Sequence, residues 1–212
     1  MGHMREQFLA GTEVVLDAVT DERVIAAWHQ ASALEDQTIG SLASHTARGC
    51  WVVDQYLDKP TPPGPANFAT AAEYFAQISD SFTETDHVEV RNRGAEVASA
   101  GPASVGADLA HKLPGLRLRL VDEPEDRLIE VYGGNVMGLD DYLWTRIVEQ
   151  VVHLEDLARS LKIEPWQNPP DAEALVIGCG AEVGRLRRGG PAMIRALYRD
   201  RSIGEDSILP VM

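Results

Sequence analysis

A chain of 212 residues, 44% hydrophobic and 25% charged, has the make-up of one soluble globular unit with a sizeable core. Its formal net charge of −14 and pI near 4.8 argue against non-specific binding to nucleic acid or to an anionic membrane, both of which need basic patches. Two cysteines, Cys50 and Cys179, are too few for a secreted disulfide framework, and no apolar run reaches the roughly 18 residues of a membrane span. The expected setting is cytoplasmic, with both thiols buried.

The opening MGHM looks like an expression-tag remnant, which leaves 5–212 as a single helical-bundle domain and sets His3 aside. Apolar residues at helical spacing then run from Phe8 through Val19 to Trp28, and one continuous helix is expected over 5–29 despite Thr20-Asp21. After a loop at 31–37, Thr38 is placed to cap a second helix to Leu57, with Ile39, Leu42, Ala43, Cys50, Val53 and Leu57 inward. The Pro/Gly stretch 59–65 stops it.

A third helix is expected over 67–84, on the rows of Phe68, Ala72, Phe75, Ile78, Ser79 and Phe82. The stretch 86–100 has weaker helical periodicity, and a further helix fits 102–113. Residues 116–124 and 126–134 alternate apolar and polar side chains, the pattern of a short strand pair. The helix at 140–162 follows, then a Pro-rich loop and two short helices at 171–187 and 191–200, the second begun by Pro191. Four long helices (5–29, 38–57, 67–84 and 140–162) make the expected fold class mainly all-α, a four-helix bundle with extra short helices and a strand pair near 116–136.

The stretch 140–162 organises the rest. About 100° per residue around its wheel, Leu143, Ile147, Val151, Leu154, Ala158 and Leu161 form an apolar arc, widened by Val148, Val152 and Leu157. The remainder is a narrow polar stripe: Tyr142, Arg146, Glu149, His153, Asp156 and Ser160. Glu149 and His153, four residues apart, lie one above the other, so both side chains can reach one ion. Such a pair is also common on solvated surface, and spacing alone does not choose.

On the second helix His45 sits beside the inward arc, with Gly49 one turn on leaving space at the helix surface. It is either a core-edge histidine bonded to a carbonyl or a third ligand. Two imidazoles and a carboxylate suit Zn²⁺ or a similar divalent ion, and three protein ligands leave one coordination position open. Cys50 points about 140° away from His45 and does not close the set.

The array Trp28…Ser32-Ala33-Leu34…Leu42…His45 and Asp141-Tyr142-Leu143…Arg146…Glu149…His153…Asp156-Leu157-Ala158 resembles the mycothiol-dependent maleylpyruvate isomerase N-terminal family, of the DinB-like four-helix-bundle superfamily. The tail GRLRRGGPAMIRALYRDR resembles that family's closing helices. The resemblance implies that His45, Glu149 and His153 match the family's metal triad. The metal is usually zinc, and mycothiol is the low-molecular-weight thiol bound through it as thiolate. Two departures stand out: Gln37 occupies a position where the family usually carries an aromatic residue, and 212 residues leave no room for the isomerase's further C-terminal domain. A substrate other than maleylpyruvate is therefore expected.

A free thiol is mostly protonated at neutral pH, and metal coordination holds it as the nucleophilic thiolate. The expected function is thus a metal-dependent thiol transferase or isomerase acting on an electrophilic substrate. Arg146 is the candidate cation for a carboxylated acceptor, or else the ion-pair partner of Glu149. Asp156 is the candidate acceptor that orients His153, or else a solvated or capping residue. Tyr142 and Tyr56 are candidates to line the thiol site, or else core-edge packing. Two other readings stay open: a non-enzymatic binding or regulatory bundle with a vestigial site, a homodimer among its forms, and a metal-dependent hydrolase. His29, His87 and His111 read as surface residues. Arg185, Arg187, Arg188, Arg195, Arg199 and Arg201 read as a solvated basic face from which one arginine could reach the site.

Overall fold

Apolar spacing of three and four residues resolves into helices α1 (His3–Thr20), α2 (Glu22–Ala26), α3 (Ile39–Leu57), α4 (Ala71–Ser81), α5 (Glu84–Ala98), α6 (Pro102–Asp122), α7 (Leu139–Leu161), α8 (Ala172–Arg188) and α9 (Gly190–Tyr198). Between α6 and α7 lies a hairpin of β1 (Leu128–Glu130) and β2 (Val136–Gly138). This is a computed structural model that describes residues 2–81 and 83–199, without the side chains at 79 and 80. The expected apolar positions Ser79 and Phe82, together with Arg201, lie outside the described side chains. No described helix is long and apolar enough to cross a membrane.

The class is as expected: mainly helical, with short extra helices and one strand pair. Helices α1, α3, α6 and α7 pack on one another as the bundle. Their shared core holds Phe8, Leu9, Leu42, Val53, Leu116, Leu120, Leu143 and Ile147, all buried. The fourth wall is α6 and not the segment 67–84, whose α4 is short and packs against α7 and α8. The reason lies in LRLRL. In a strand, Leu116, Leu118 and Leu120 would share a face. Here Leu116 and Leu120 are buried beside Leu109 and Leu113, while Leu118 is 69% exposed, which is the period of a helix. The helix continues through Pro114, and the strands form one step later in the chain than the alternation suggested. Ile129 faces Met137 across the hairpin, and both are buried.

Three further boundaries differ. The first helix does break at Asp21, whose carboxylate accepts the Arg23 backbone N–H at 2.8 Å and so starts α2. The segment near 86–100 is fully helical despite its weak pattern. Thr83 and Asp86 form a capping box at its start, and it lies along α3 with only Gly94 buried. A Cβ on Gly94 would stand 3.1 Å from the Ser41 carbonyl oxygen and 3.4 Å from His45 Cβ, so the missing side chain allows α5 to close against α3. On α7, Val152 is exposed and does not widen the inward arc.

Arg5 ties the ends of three bundle helices together. Its side chain is buried, and it donates to Asp140 Oδ1 at 2.8 Å and to the carbonyls of Leu120, Glu123 and Pro124 at 2.6–2.9 Å. Those carbonyls lie at and just beyond the end of α6, where helical donors run out, although the Pro124 carbonyl also accepts the Arg127 N–H at 3.3 Å. Arg5→Ala is expected to lower unfolding stability by about 2–4 kcal/mol, because it leaves buried acceptors and a carboxylate unpaired. Chemical denaturation of the two proteins at neutral pH measures this; a loss below about 0.5 kcal/mol would contradict it.

Candidate metal centre and its cavity

The packing of α3 on α7 brings the two halves of the polar stripe together. His45 reaches across from α3 to Glu149 and His153, which stand one turn apart on α7. Glu149 Oε2 lies 3.4 Å from His45 Nε2 and 3.3 Å from His153 Nε2. The imidazole rings meet edge to face with centroids 5.1 Å apart. One ligand atom from each of the three residues lies within 4.8 Å of the others. Among the described residues this is the one such group of three.

Behind His153, Asp156 is buried and its Oδ2 lies 3.2 Å from His153 Nδ1. That contact directs the imidazole's other nitrogen toward Glu149. Asp156 is itself held in place. Ser160 Oγ donates to the Asp156 carbonyl at 2.6 Å and accepts the Ala33 N–H at 2.8 Å, which ties the 31–38 loop to α7. Gln37, in that loop, lines the cavity.

Burial would drive the Glu149 carboxyl toward its neutral form. Hydrogen bonds from His153 and His45, with the charge of Arg146, outweigh it and hold the group well below the ordinary carboxylate range. Burial likewise works against a charged His153, but its bonds to Asp156 and Glu149 push it up to about 9.

The cluster opens into a cavity of about 490 Å³. Arg146, Tyr142 and Tyr56 all line it, as expected from the sequence. The Arg146 guanidinium lies over the Tyr142 ring at 4.9 Å, and Tyr142 meets Tyr56 edge to face at 5.4 Å. Among the described residues no carboxylate stands within ion-pair distance of Arg146; its Nε donates to Thr145 Oγ1 at 3.1 Å. Burial disfavours its charge, yet Tyr142 and Glu149 leave it more firmly protonated than usual, while burial keeps the Tyr142 phenol neutral. Gly49 borders the cavity, where a Cβ would come to 3.9 Å from Arg146 Nη1.

Sequence reasoning missed the opposite wall. Tyr74, Phe75 and Ile78 from α4, His87, Val90 and Arg93 from α5, Tyr132 from the hairpin turn and Arg48 from α3 all line the cavity. Arg48 was accessible to the same wheel that placed His45, three residues earlier. His87 is exposed as expected but stands at the cavity rim, whereas His29 and His111 are exposed and outside it. The arginines of α8 and α9 at 185, 187, 188, 195 and 199 are exposed, and none lines the cavity. Cys50 and Cys179 are buried and free, and burial pushes both thiols up.

The architecture and this cluster define a helical bundle with a histidine–carboxylate triad able to hold a metal ion. Residues 8–158 match the family described as the mycothiol maleylpyruvate isomerase N-terminal domain. The chain belongs to that family. Neither the curated proteins nor the solved structures contain a significant match.

In the metal-free protein, His153 is raised above its ordinary 6.5, so its stabilising bonds are fully present below about pH 6.5 and are lost as pH rises through about 9. A metal needs the same nitrogen unprotonated. Affinity for a divalent metal ion is therefore expected to climb with pH up to about 9, while metal-free stability falls over the same interval. Competition titrations and melts from pH 6 to 9.5 check both slopes; a flat affinity profile would contradict the assignment.

Proposed function

We propose that the protein is a metal-dependent thiol transferase or isomerase that uses mycothiol or a related low-molecular-weight thiol. The observation that carries this is a length. A tetrahedral ion with bonds of about 2.0–2.1 Å has its ligand atoms roughly 3.3–3.4 Å apart; two of the three separations, imidazole to carboxylate, are 3.4 and 3.3 Å, and all three atoms lie within 4.8 Å of one another. His45, Glu149 and His153 would hold the ion, and the cavity offers room beside it. Two nitrogens and one oxygen suit zinc among the divalent metals. When bound, the ion supplies the charge that keeps a thiol deprotonated near neutral pH.

The chain's own groups do the rest. Asp156 fixes the orientation of His153. Arg146, cationic and with no carboxylate within ion-pair distance among the described residues, faces the same cavity and is suited to an anionic group on the electrophile. Tyr142 and Tyr56 give flat apolar walls whose phenolic O–H groups are fit to donate to a sugar-bearing thiol, and burial keeps that of Tyr142 neutral. The matching reactions are S-transfer and isomerisation by addition, rotation and elimination at an activated double bond.

Purified protein is expected to bind about one equivalent of zinc, and His153→Ala to abolish stoichiometric binding. Asp156→Asn should weaken zinc roughly 10- to 100-fold with the fold intact. Elemental analysis and chelator competition measure both. Turnover of an electrophile panel should require added thiol. Thiol-independent hydrolysis, or no bound metal on titration, would sink the proposal.

A further inference from the structure

One residue beyond Glu149, a polar side chain is buried in the middle of the bundle. Gln150 is 3% exposed and its Nε2 lies 3.0 Å from Thr12 Oγ1, 3.3 Å from the Phe8 carbonyl and 3.4 Å from Cys50 Sγ. Thr12 spends its own hydroxyl proton on the Phe8 carbonyl at 2.8 Å, and Cys50 directs its thiol proton to the Thr46 carbonyl at 3.4 Å. Both can therefore only accept from Gln150, which fixes its NH₂ toward α1 and α3 and its oxygen the other way. That oxygen, Oε1, is buried with no hydrogen-bond partner among the described residues and lies against Gly11, where any Cβ would overlap it.

Two local sacrifices thus coincide at one point: a glycine inside a helix and an orphaned buried acceptor. An aliphatic residue at 150 would incur neither. What the amide alone supplies is direction, because an apolar contact permits sliding and a set of aimed donors does not. Glu149 precedes Gln150 on α7, and Cys50 follows His45 on α3.

We infer that Gln150 is a positioning residue, which fixes the register of α7 against α1 and α3 and thereby sets Glu149 and His153 opposite His45. As a statement about the metal site, this rests on the reading given under Proposed function. The arrangement of the three side chains is a consequence of the register whether or not a metal is bound.

The test compares Gln150→Leu with Leu120→Ala, a core truncation remote from the triad. Both should lower the melting temperature. Gln150→Leu alone should weaken zinc at least tenfold and alter the visible spectrum of the cobalt-substituted protein. In metal-free protein, the imidazole ¹⁵N signals of His45 and His153 should shift in Gln150→Leu and hold in Leu120→Ala. Unchanged imidazole signals in Gln150→Leu overturn the inference, and so does zinc affinity within twofold of wild type. If wild type binds no zinc at all, the metal reading fails while the imidazole comparison still decides the register. Should Gln150→Leu not fold, Gly11→Ala keeps the amide but displaces it and undergoes the same comparison. Its effect on stability should reverse sign, destabilising in wild type and stabilising in a Gln150→Ala background. Additive effects would count against the inference.

Discussion

A carboxylate shared by two imidazoles at the junction of two packed helices is the constraint from which the rest of this structure follows. Glu149 sits where burial should neutralise it, in a protein already carrying a net charge of −14. It stays ionised because His45, His153 and Arg146 converge on it from α3 and α7. A buried charge on these terms is costly to isolate and strongly specific for its partners. That demands close approach of α3 and α7; behind His45, Gly94 lets α5 pack onto α3, and near His153 the Ser160 hydroxyl ties the 31–38 loop to α7.

Much of this was legible in the sequence because α7 is apolar around most of its girth. When few polar positions remain, each lies within a narrow arc, and Arg146, Glu149, His153 and Asp156 were separated from the apolar arc by period alone, whereas Tyr142, placed on the same stripe, is buried in the core while bordering the cavity. His45 was harder, since a single histidine at the edge of an apolar arc carries no pairing information. Only the family resemblance joined it to the others. The contact across helices is a long-range fact that local spacing does not encode.

The misses have equally physical causes. Segment 116–120 satisfies both periods at once, and only the exposure of Leu118 decides between them. Helix α5 has a single buried residue, so its apolar signal is faint and its capping box is the only local sign of its start. Gln150 escaped notice because it lies among inward residues, outside the polar stripe where functional groups were sought. A buried amide is recognisable only once its partners on α1 and α3 are known.

These successes and failures divide along a structural line. The triad stands on α3 and α7, long helices embedded in the bundle core, where side-chain positions are fixed by packing on several sides. The opposite cavity wall comes from α4, α5 and the hairpin turn, elements laid against the bundle with fewer buried side chains. Changes in α4, at residue 37 or at exposed positions of α5 therefore reshape the space before the triad without disturbing the packing that assembles it, whereas Gly94 belongs to that packing. In this chain that space is bordered by Arg48, Arg146 and Arg93, the last paired with Glu89 at 3.6 Å, and among the described lining residues Glu149 is the one carboxylate. The positive balance of the cavity is opposite in sign to the protein as a whole.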